Sequence, residues 1–316
     1  TFRILWNNWF PKMKLLQILF FKFFGLILFK RYIKEFGKPE IIHCHSAMLG
    51  GWLAEKISCK YKIPFVITEH DSMFFQRKHK KYYTKISEIY NKASLCLSVS
   101  KNYCKLLKKT IPGSPDWVPH NNIVSQKFLS TSIKKKDKKP FIFLSISNLY
   151  KNKNIPLVLK SFKKFNEDYP ESELRIIGVG SEENSLKTLA KKLEVKNVSF
   201  LGKKTRNQIV NEFNQSNVFV LGTKYETFGV VLIESISMGV PVIVTDCGGS
   251  KDIMNELVGN VTKQNDVDDM YKSMNDIYNR YDEFIPQNLR NYSKSKFSEK
   301  KLSTVLIRHY ENILNN

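Results

Sequence analysis

Cysteine is scarce and unpaired in this chain. Five cysteines (Cys44, Cys59, Cys96, Cys104 and Cys247) are scattered over 316 residues, an odd number with no Cys-x-x-Cys among them. That excludes a paired disulfide framework and points to free thiols in a reducing compartment. Acidic residues are also short. The 29 Asp and Glu against 51 Lys and Arg leave a net charge of +22, which favours anionic partners such as nucleotides, phospholipid surfaces or nucleic acid. Much of that excess is lysine spread along surface helices, as at Lys163, Lys164, Lys191 and Lys192, where a solvated polar face accounts for it. No apolar run reaches the ~20 residues that a bilayer span requires. The longest candidate, Leu15 to Phe29, is interrupted by Lys22. It reads either as a buried helix or as an in-plane amphipathic segment whose Lys14, Lys22, Lys30 and Arg31 meet lipid headgroups. A secretory signal is missing as well, since the chain opens at Thr1 and the apolar run follows only after Pro11.

One further absence concerns architecture. A doubly wound domain normally opens with an apolar strand running into a glycine-rich turn, and no such turn occurs here before Gly50. With no initiating methionine, the reading is a fragment whose N-terminal domain is incomplete. What remains is regular. Short apolar runs alternate with helix-length amphipathic segments, the pattern of a parallel sheet covered by helices. Strands are expected near Ile41–Cys44, Phe65–Thr68, Leu95–Val99 and Trp117–Pro119, then near Phe141–Ile146, Leu174–Ile177, Val198–Leu201, Val218–Leu221, Val242–Thr245 and Leu257–Val261. Between the two sets lies Ser130 to Pro140, with Lys134, Lys135, Lys136, Asp137, Lys138 and Lys139, which reads as an exposed linker. No aromatic residues interleave with its lysines, so a nucleic-acid patch is disfavoured. The expected division is a first α/β domain over residues 1–137, rejoined by 296–316, and a second over 138–295. A metal reading of His43-Cys44-His45 fails on strand alternation, which points Cys44 away from both histidines.

Chemistry concentrates in the segment Tyr225 to Val242. A strand ending near Leu221 leads to a helix starting near Gly229, so free backbone N–H groups are expected at the carboxyl edge of the second sheet. Such a helix start suits a diphosphate, with Gly229 and Val230 at its mouth and Phe228 just before it. At Gly229 a side chain would obstruct close approach. Glu234 sits on a helix otherwise made of Val230, Val231, Leu232, Ile233 and Ile236, where an unpaired carboxylate costs several kcal/mol. A sugar or ribose diol, a nearby lysine or an ordinary buried ion pair would each satisfy it. Glu226 precedes the helix, within reach of hydroxyls attached to the phosphates.

Glu226 and Glu234, separated by seven residues, with Thr227-Phe228-Gly229 between them and Met238-Gly239-Val240-Pro241-Val242 after them, strongly resemble the retaining glycosyltransferases of the GT-B fold, specifically the large family-4 group. That resemblance covers nearly the whole chain. It implies two Rossmann-like doubly wound domains facing across a cleft. Ser147 to Asn154 is similar to the family's phosphate-binding segment, in which an arginine and a lysine five positions apart grip the donor diphosphate. Lys153 matches the lysine, while Asn148 stands where the family has arginine, and Lys151 is either a substitute for the lost charge or a solvent-facing loop lysine. Leu174 to Ser181 resembles the strand and turn beside the nucleotide base and includes Gly180, and Asp246 to Gly249 matches a later glycine pair. In the first half, Pro39 to His45 and Ile63 to His70 are similar to acceptor-side strands, with His70 at the position of a histidine that approaches the donor sugar. Asn121 and Asn122 match an Asn-containing turn, and Phe297 to Leu314 resembles a helix returning to the first domain.

The resemblance implies transfer of a sugar from a nucleoside diphosphate sugar to a glycan or lipid-linked acceptor, with no cofactor and no metal. Glu226, Lys153 and His70 carry the catalytic roles; Asn148, Gly180, Phe228, Gly229, Val230 and Glu234 bind the donor. Asp266 and Asp268 imitate a metal-binding Asp-x-Asp, but helix capping before Met270 explains Asp266 better. A cytoplasmic protein in cell-surface polysaccharide synthesis is expected, peripheral on the inner face of the plasma membrane, with no nucleic-acid partner. Alternative readings are a non-catalytic nucleotide-binding scaffold, favoured by the arginine missing at Asn148, and a sugar-nucleotide epimerase on a similar two-domain fold.

Overall fold

A computed structural model describes residues 14–71, 82–134 and 136–315, with the side chains of 14–18 outside that description. Thr1, Pro11, Lys135 and the Lys14 side chain therefore lie outside the described residues. The chain divides into two compact units, Thr1–Asn121 with Thr304–Asn316, and Asn122–Ser303.

In the first unit, helices α1 (Lys14–Phe36), α2 (Trp52–Tyr61), α3 (Tyr83–Lys92) and α4 (Lys101–Thr110) alternate with strands β1 (Ile42–His45), β2 (Phe65–Glu69), β3 (Leu95–Ser98) and β4 (Val118–Pro119). The sheet is parallel in the order β1-β2-β3-β4, with Cys44 opposite Ile67 and Ile67 opposite Cys96. Parallel pairing follows from the helical crossovers, which return the chain to the same end of the sheet. Phe65, Val66 and Ile67 are buried because helices cover the faces. The buried-helix reading of Leu15 to Phe29 needs correcting. None of residues 19–36 is buried, and Leu19 and Phe23 are 61% and 60% exposed. One side of α1 packs on α2, with Phe29 edge-on to Tyr61 at 5.2 Å, and the other side has more apolar surface than α2 can cover.

In the second unit, helices α5 (Gln126–Ser130), α6 (Ile155–Asp168), α7 (Glu183–Lys192), α8 (Arg206–Gln215), α9 (Val230–Ser237), α10 (Val267–Asn279), α11 (Pro286–Phe297) and the start of α12 (Glu299–Leu314) surround strands β5 (Ile142–Ile146), β6 (Glu173–Ile177), β7 (Val198–Phe200), β8 (Val218–Leu221), β9 (Val242–Thr245) and β10 (Gly259–Thr262). Every pairing is parallel, in the order β10-β9-β8-β5-β6-β7. The chain builds outward from β5 through β6 and β7, then returns to place β8 on the other flank of β5. The switch point is thus between β5 and β8, where the loops leaving their carboxyl ends diverge and leave a crevice.

Among the described residues, each of the ten expected strands is found within two residues of its expected position. The unit boundary differs, lying at Asn121 rather than 137 and at Thr304 rather than 296. Packing moves it: Phe128 is fully buried edge-on to Phe213 at 6.1 Å, and the Val124 N–H donates to the Phe297 carbonyl at 2.9 Å. The linker is likewise no free tether. Asn217 Nδ2 donates to the Asp137 carbonyl at 2.8 Å, Arg290 Nη2 to the Thr131 carbonyl at 2.6 Å, and Lys138 pairs with Asp282 at 3.1 Å. Lys136 is drawn inward, where burial lowers its ammonium pKa to about 8. From Thr304 onward the C-terminal residues belong to the first unit, where the Tyr310 hydroxyl hydrogen-bonds with His43 Nδ1.

Candidate functional site

The site begins where β5 ends. Ser147 N–H donates to the Ile177 carbonyl and Leu149 N–H to the Val179 carbonyl, both at 3.0 Å, so the turns after β5 and β6 stay locked together beyond the strands. Gly180 is required by that contact, since a Cβ there would lie 2.4 Å from the Leu149 carbonyl oxygen. Its neighbours Gly178 and Val179, rather than Gly180 itself, face the adjoining cavity. Asn148 is exposed on the same turn.

Lys153 is positioned by a staple between two loops. The Asn152 carbonyl accepts from the Lys224 N–H at 2.8 Å and from Thr223 Oγ1 at 3.2 Å, and Asn152 Nδ2 donates to the Tyr225 carbonyl at 3.0 Å. This brings Lys153 Nζ to 2.7 Å from Glu226 Oε2, with the two side chains 22% and 19% exposed. Glu226 is in turn held by the loop after β9, its N–H donating to the Cys247 carbonyl and its carbonyl accepting from the Gly249 N–H, both at 2.9 Å. The glycine pair Gly248-Gly249 thus lets a loop backbone lie directly against the backbone of Glu226.

Helix α9 opens with Gly229 at φ 101° and no capping side chain. A residue there must adopt the left-handed region, which glycine enters without a Cβ clash. The first N–H groups of α9 have no carbonyl one turn earlier to bond and carry the positive end of the helix dipole. Val230 is 37% exposed beside them. Phe228 is different: its ring is buried edge-on to Phe297 at 5.7 Å, so a donor contact from this position is left to the backbone.

Glu234 lies three residues beyond Val231, on the same helical face, and is 7% exposed. Its partner is Arg206 at the start of α8, whose guanidinium donates to Glu234 Oε1. Burial pushes the Glu234 carboxyl above its ordinary range and Arg206 opposes that shift. The ion-pair alternative thus accounts for the buried acid, although Arg206 is 58% exposed.

These elements enclose a cavity of about 400 Å³ at the switch point, lined by Ser147, Asn148, Lys153, Lys203, Lys204 and Val231 over an apolar floor that includes Ile146 and Leu221. Lys203, Lys204 and Arg206 were not singled out from the sequence. The signal was there: a run of basic residues straight after a strand, at the edge of a parallel sheet where ligands collect. Asp266 proves to be a helix cap, accepting from the Asp269 N–H at 2.9 Å, and Asp268 pairs with Lys164. No group of three or more His, Cys, Asp or Glu side chains among the described residues is placed to hold a metal ion.

In the first unit His70 follows β2, its ring 5.5 Å from that of His45, which stacks on His43 at 5.0 Å. Cys44 points away and donates to the Val66 carbonyl at 3.5 Å. Beneath His70 lies Glu69, fully buried. Five donors converge on its carboxylate: Ser46 Oγ, the N–H groups of Ala47, His70 and Asp71, and the Tyr90 hydroxyl. Burial pushes Glu69 up to about 7 against those donors. By gripping the backbone of His70 and of the turn after β1, Glu69 fixes the edge on which the histidines stand.

Comparison with known proteins identifies the family and the fold. The profile of the family described as Glycosyl transferases group 1 matches residues 127–296, over half of the chain, and that of Glycosyltransferase Family 4 matches residues 6–120. An uncharacterized glycosyltransferase of Haemophilus influenzae is 29% identical over 139 residues, 43% of this chain and 39% of that protein. The UDP-Gal:alpha-D-GlcNAc-diphosphoundecaprenol alpha-1,3-galactosyltransferase of Escherichia coli is 28% identical over 275 residues, 78% of this chain and 68% of that protein. Among solved structures, the sucrose-phosphate synthase of Thermosynechococcus elongatus superposes with a TM-score of 0.80 at 17% identity, covering 97% of this chain and 81% of that one.

Proposed function

Because this chain belongs to the Glycosyl transferases group 1 family, we propose that it transfers a sugar, with retention of anomeric configuration, from a nucleoside diphosphate sugar to a glycan or lipid-linked acceptor. The observation that carries the reading is the meeting of Lys153, Glu226 and the uncapped start of α9 beside one cavity at the switch point of the second sheet. In the reaction the acceptor oxygen bonds to the anomeric carbon, the bond from that carbon to the diphosphate oxygen breaks, and the acceptor proton leaves with the nucleoside diphosphate. The departing charge is stabilised by Lys153 and by the N–H groups at Gly229 and Val230, which are oriented before the reaction begins. Glu226, already holding Lys153, positions the sugar. Glu234 accepts from the ribose hydroxyls once Arg206 gives way, and His70 keeps the catalytic role that the family resemblance implies. No cofactor or metal enters this scheme.

Names of relatives support the substrate class, in particular that of the Escherichia coli enzyme, which names a UDP-linked sugar and a lipid diphosphate acceptor. A lipid-linked acceptor also gives α1 a role. Its exposed Leu19, Phe20 and Phe23 share the helix with exposed Lys30, Arg31 and Lys34, so the helix rests in the interface of an anionic bilayer on the cytoplasmic side. No helix among the described residues is long and apolar enough to cross a membrane. Co-flotation with phosphatidylglycerol vesicles, reversed by high salt and absent with phosphatidylcholine, is the expected result.

The decisive test is a panel of nucleoside diphosphate sugars scored by thermal shift and then by product analysis. The matching donor at a hundred times its Kd stabilises by about 2.7 kcal/mol and is turned over. The missing arginine at Asn148 favours a nucleotide-binding scaffold as the second reading, and binding with neither transfer nor donor hydrolysis would select it.

A further inference from the structure

The diphosphate site built on Lys153 has a shortage of charge. Asn148 contributes no cation, and the ammonium of Lys153 is already matched by Glu226 at 2.7 Å. The alternative substitute, Lys151, does not line the main cavity but a separate one of about 250 Å³ with Tyr150, Asn154 and Lys224. Lys203 and Lys204 do line the main cavity, as does Asn148. Arg206 is matched by Glu234, whereas among the described residues neither Lys203 nor Lys204 has a carboxylate within ion-pair distance.

Their loop is held from both ends. At its start the Gly202 carbonyl accepts from the Gly178 N–H at 2.9 Å, tying the turn after β7 to the turn after β6. At its end Thr205 and Gln208 form a reciprocal capping box, the Thr205 N–H donating to Gln208 Oε1 at 2.9 Å, and Arg206 anchors to Glu234. Two lysines on so short and braced a loop have little backbone freedom to lose when an anion arrives.

We propose that Lys203 and Lys204 supply the positive charge for the donor diphosphate that Asn148 does not, so that the phosphates are gripped from the turn after β7 as well as from the turn after β5. The inference rests on the nucleoside diphosphate reading of the cavity. It assigns the pair to binding of phosphate oxygens rather than of base or ribose.

The test is calorimetry with UDP, GDP and ADP and with the corresponding nucleosides, on the parent chain, on Lys203→Gln with Lys204→Gln, and on that double variant carrying Asn148→Arg. A charge-assisted hydrogen bond contributes about 1.5–3 kcal/mol, so the double variant is expected to weaken the preferred diphosphate at least about tenfold. The nucleoside affinity stays unchanged, and Asn148→Arg restores much of the loss. Both lysines are at least partly exposed, so the fold tolerates the change, and the single variants give the same readout separately. Diphosphate affinity within about twofold of the parent would overturn the proposal, as would an equal loss for nucleoside and diphosphate. A parent chain that binds none of the three diphosphates rejects the donor-site reading itself, and so is distinguishable from failure of the lysine assignment alone.

Discussion

At the scale of single residues, the candidate site is a set of paired charges. Lys153 and Glu226 neutralise one another across two loops, as do Arg206 and Glu234. Lys153→Ala removes one preorganised cation, and turnover is expected to fall by roughly two to three powers of ten; near-parental turnover in purified, folded protein would exclude its role. His43 gives a pH dependence with a definite sign. Burial, with His45 and His120 nearby, lowers its pKa to about 4 from 6.5, while its nitrogens contact Tyr310 and Thr68. Because the unfolded chain takes up this proton first, the stability held by neutral His43 is complete above pH 6.5 and is lost as pH falls towards 4. The loss approaches ~3 kcal/mol. Melting temperatures measured across that interval should show His43→Gln with a shallower fall than the parent.

At the scale of elements, periodicity located every strand among the described residues, because alternating apolar runs and amphipathic helices leave little freedom in a parallel sheet. The start of α9 was also legible, from Gly229 and the apolar run after it. Gly229→Ala imposes a left-handed φ on a residue with a Cβ, which also meets Leu232 Cδ1 at 2.8 Å. A loss of about 1–3 kcal/mol in denaturant unfolding is expected, and an unchanged midpoint would show that the helix start relaxes. The Lys203-Lys204 loop was not recognised. A turn contributes no period, and only the order β8-β5-β6-β7 puts the exits of β5, β6 and β7 beside one another. The place of the Phe228 ring is not legible in the sequence for a related reason, as it packs on Phe297 in α11, far along the chain.

At the scale of the whole chain, free thiols were inferred from a count, and burial now ranks them. Cys44, Cys96, Cys104 and Cys247 are buried and Cys59 is exposed. Burial also raises the thiols of Cys44 and Cys96 to about 12 and that of Cys247 to about 11. A thiol reagent at neutral pH should therefore titrate one fast group in native protein and five in guanidinium; more than one fast group would mean that a unit opens readily. Sequence alone determined the fold class, the strands and the acids and glycines of the family motif, because each is written in local spacing and side-chain chemistry. Tertiary structure decided which charges neutralise which, where one unit ends, and that Lys203 and Lys204 share a cavity with Lys153. Those outcomes depend on contacts between residues far apart in the chain, and spacing along a sequence carries no record of such distances until the sheet order is fixed.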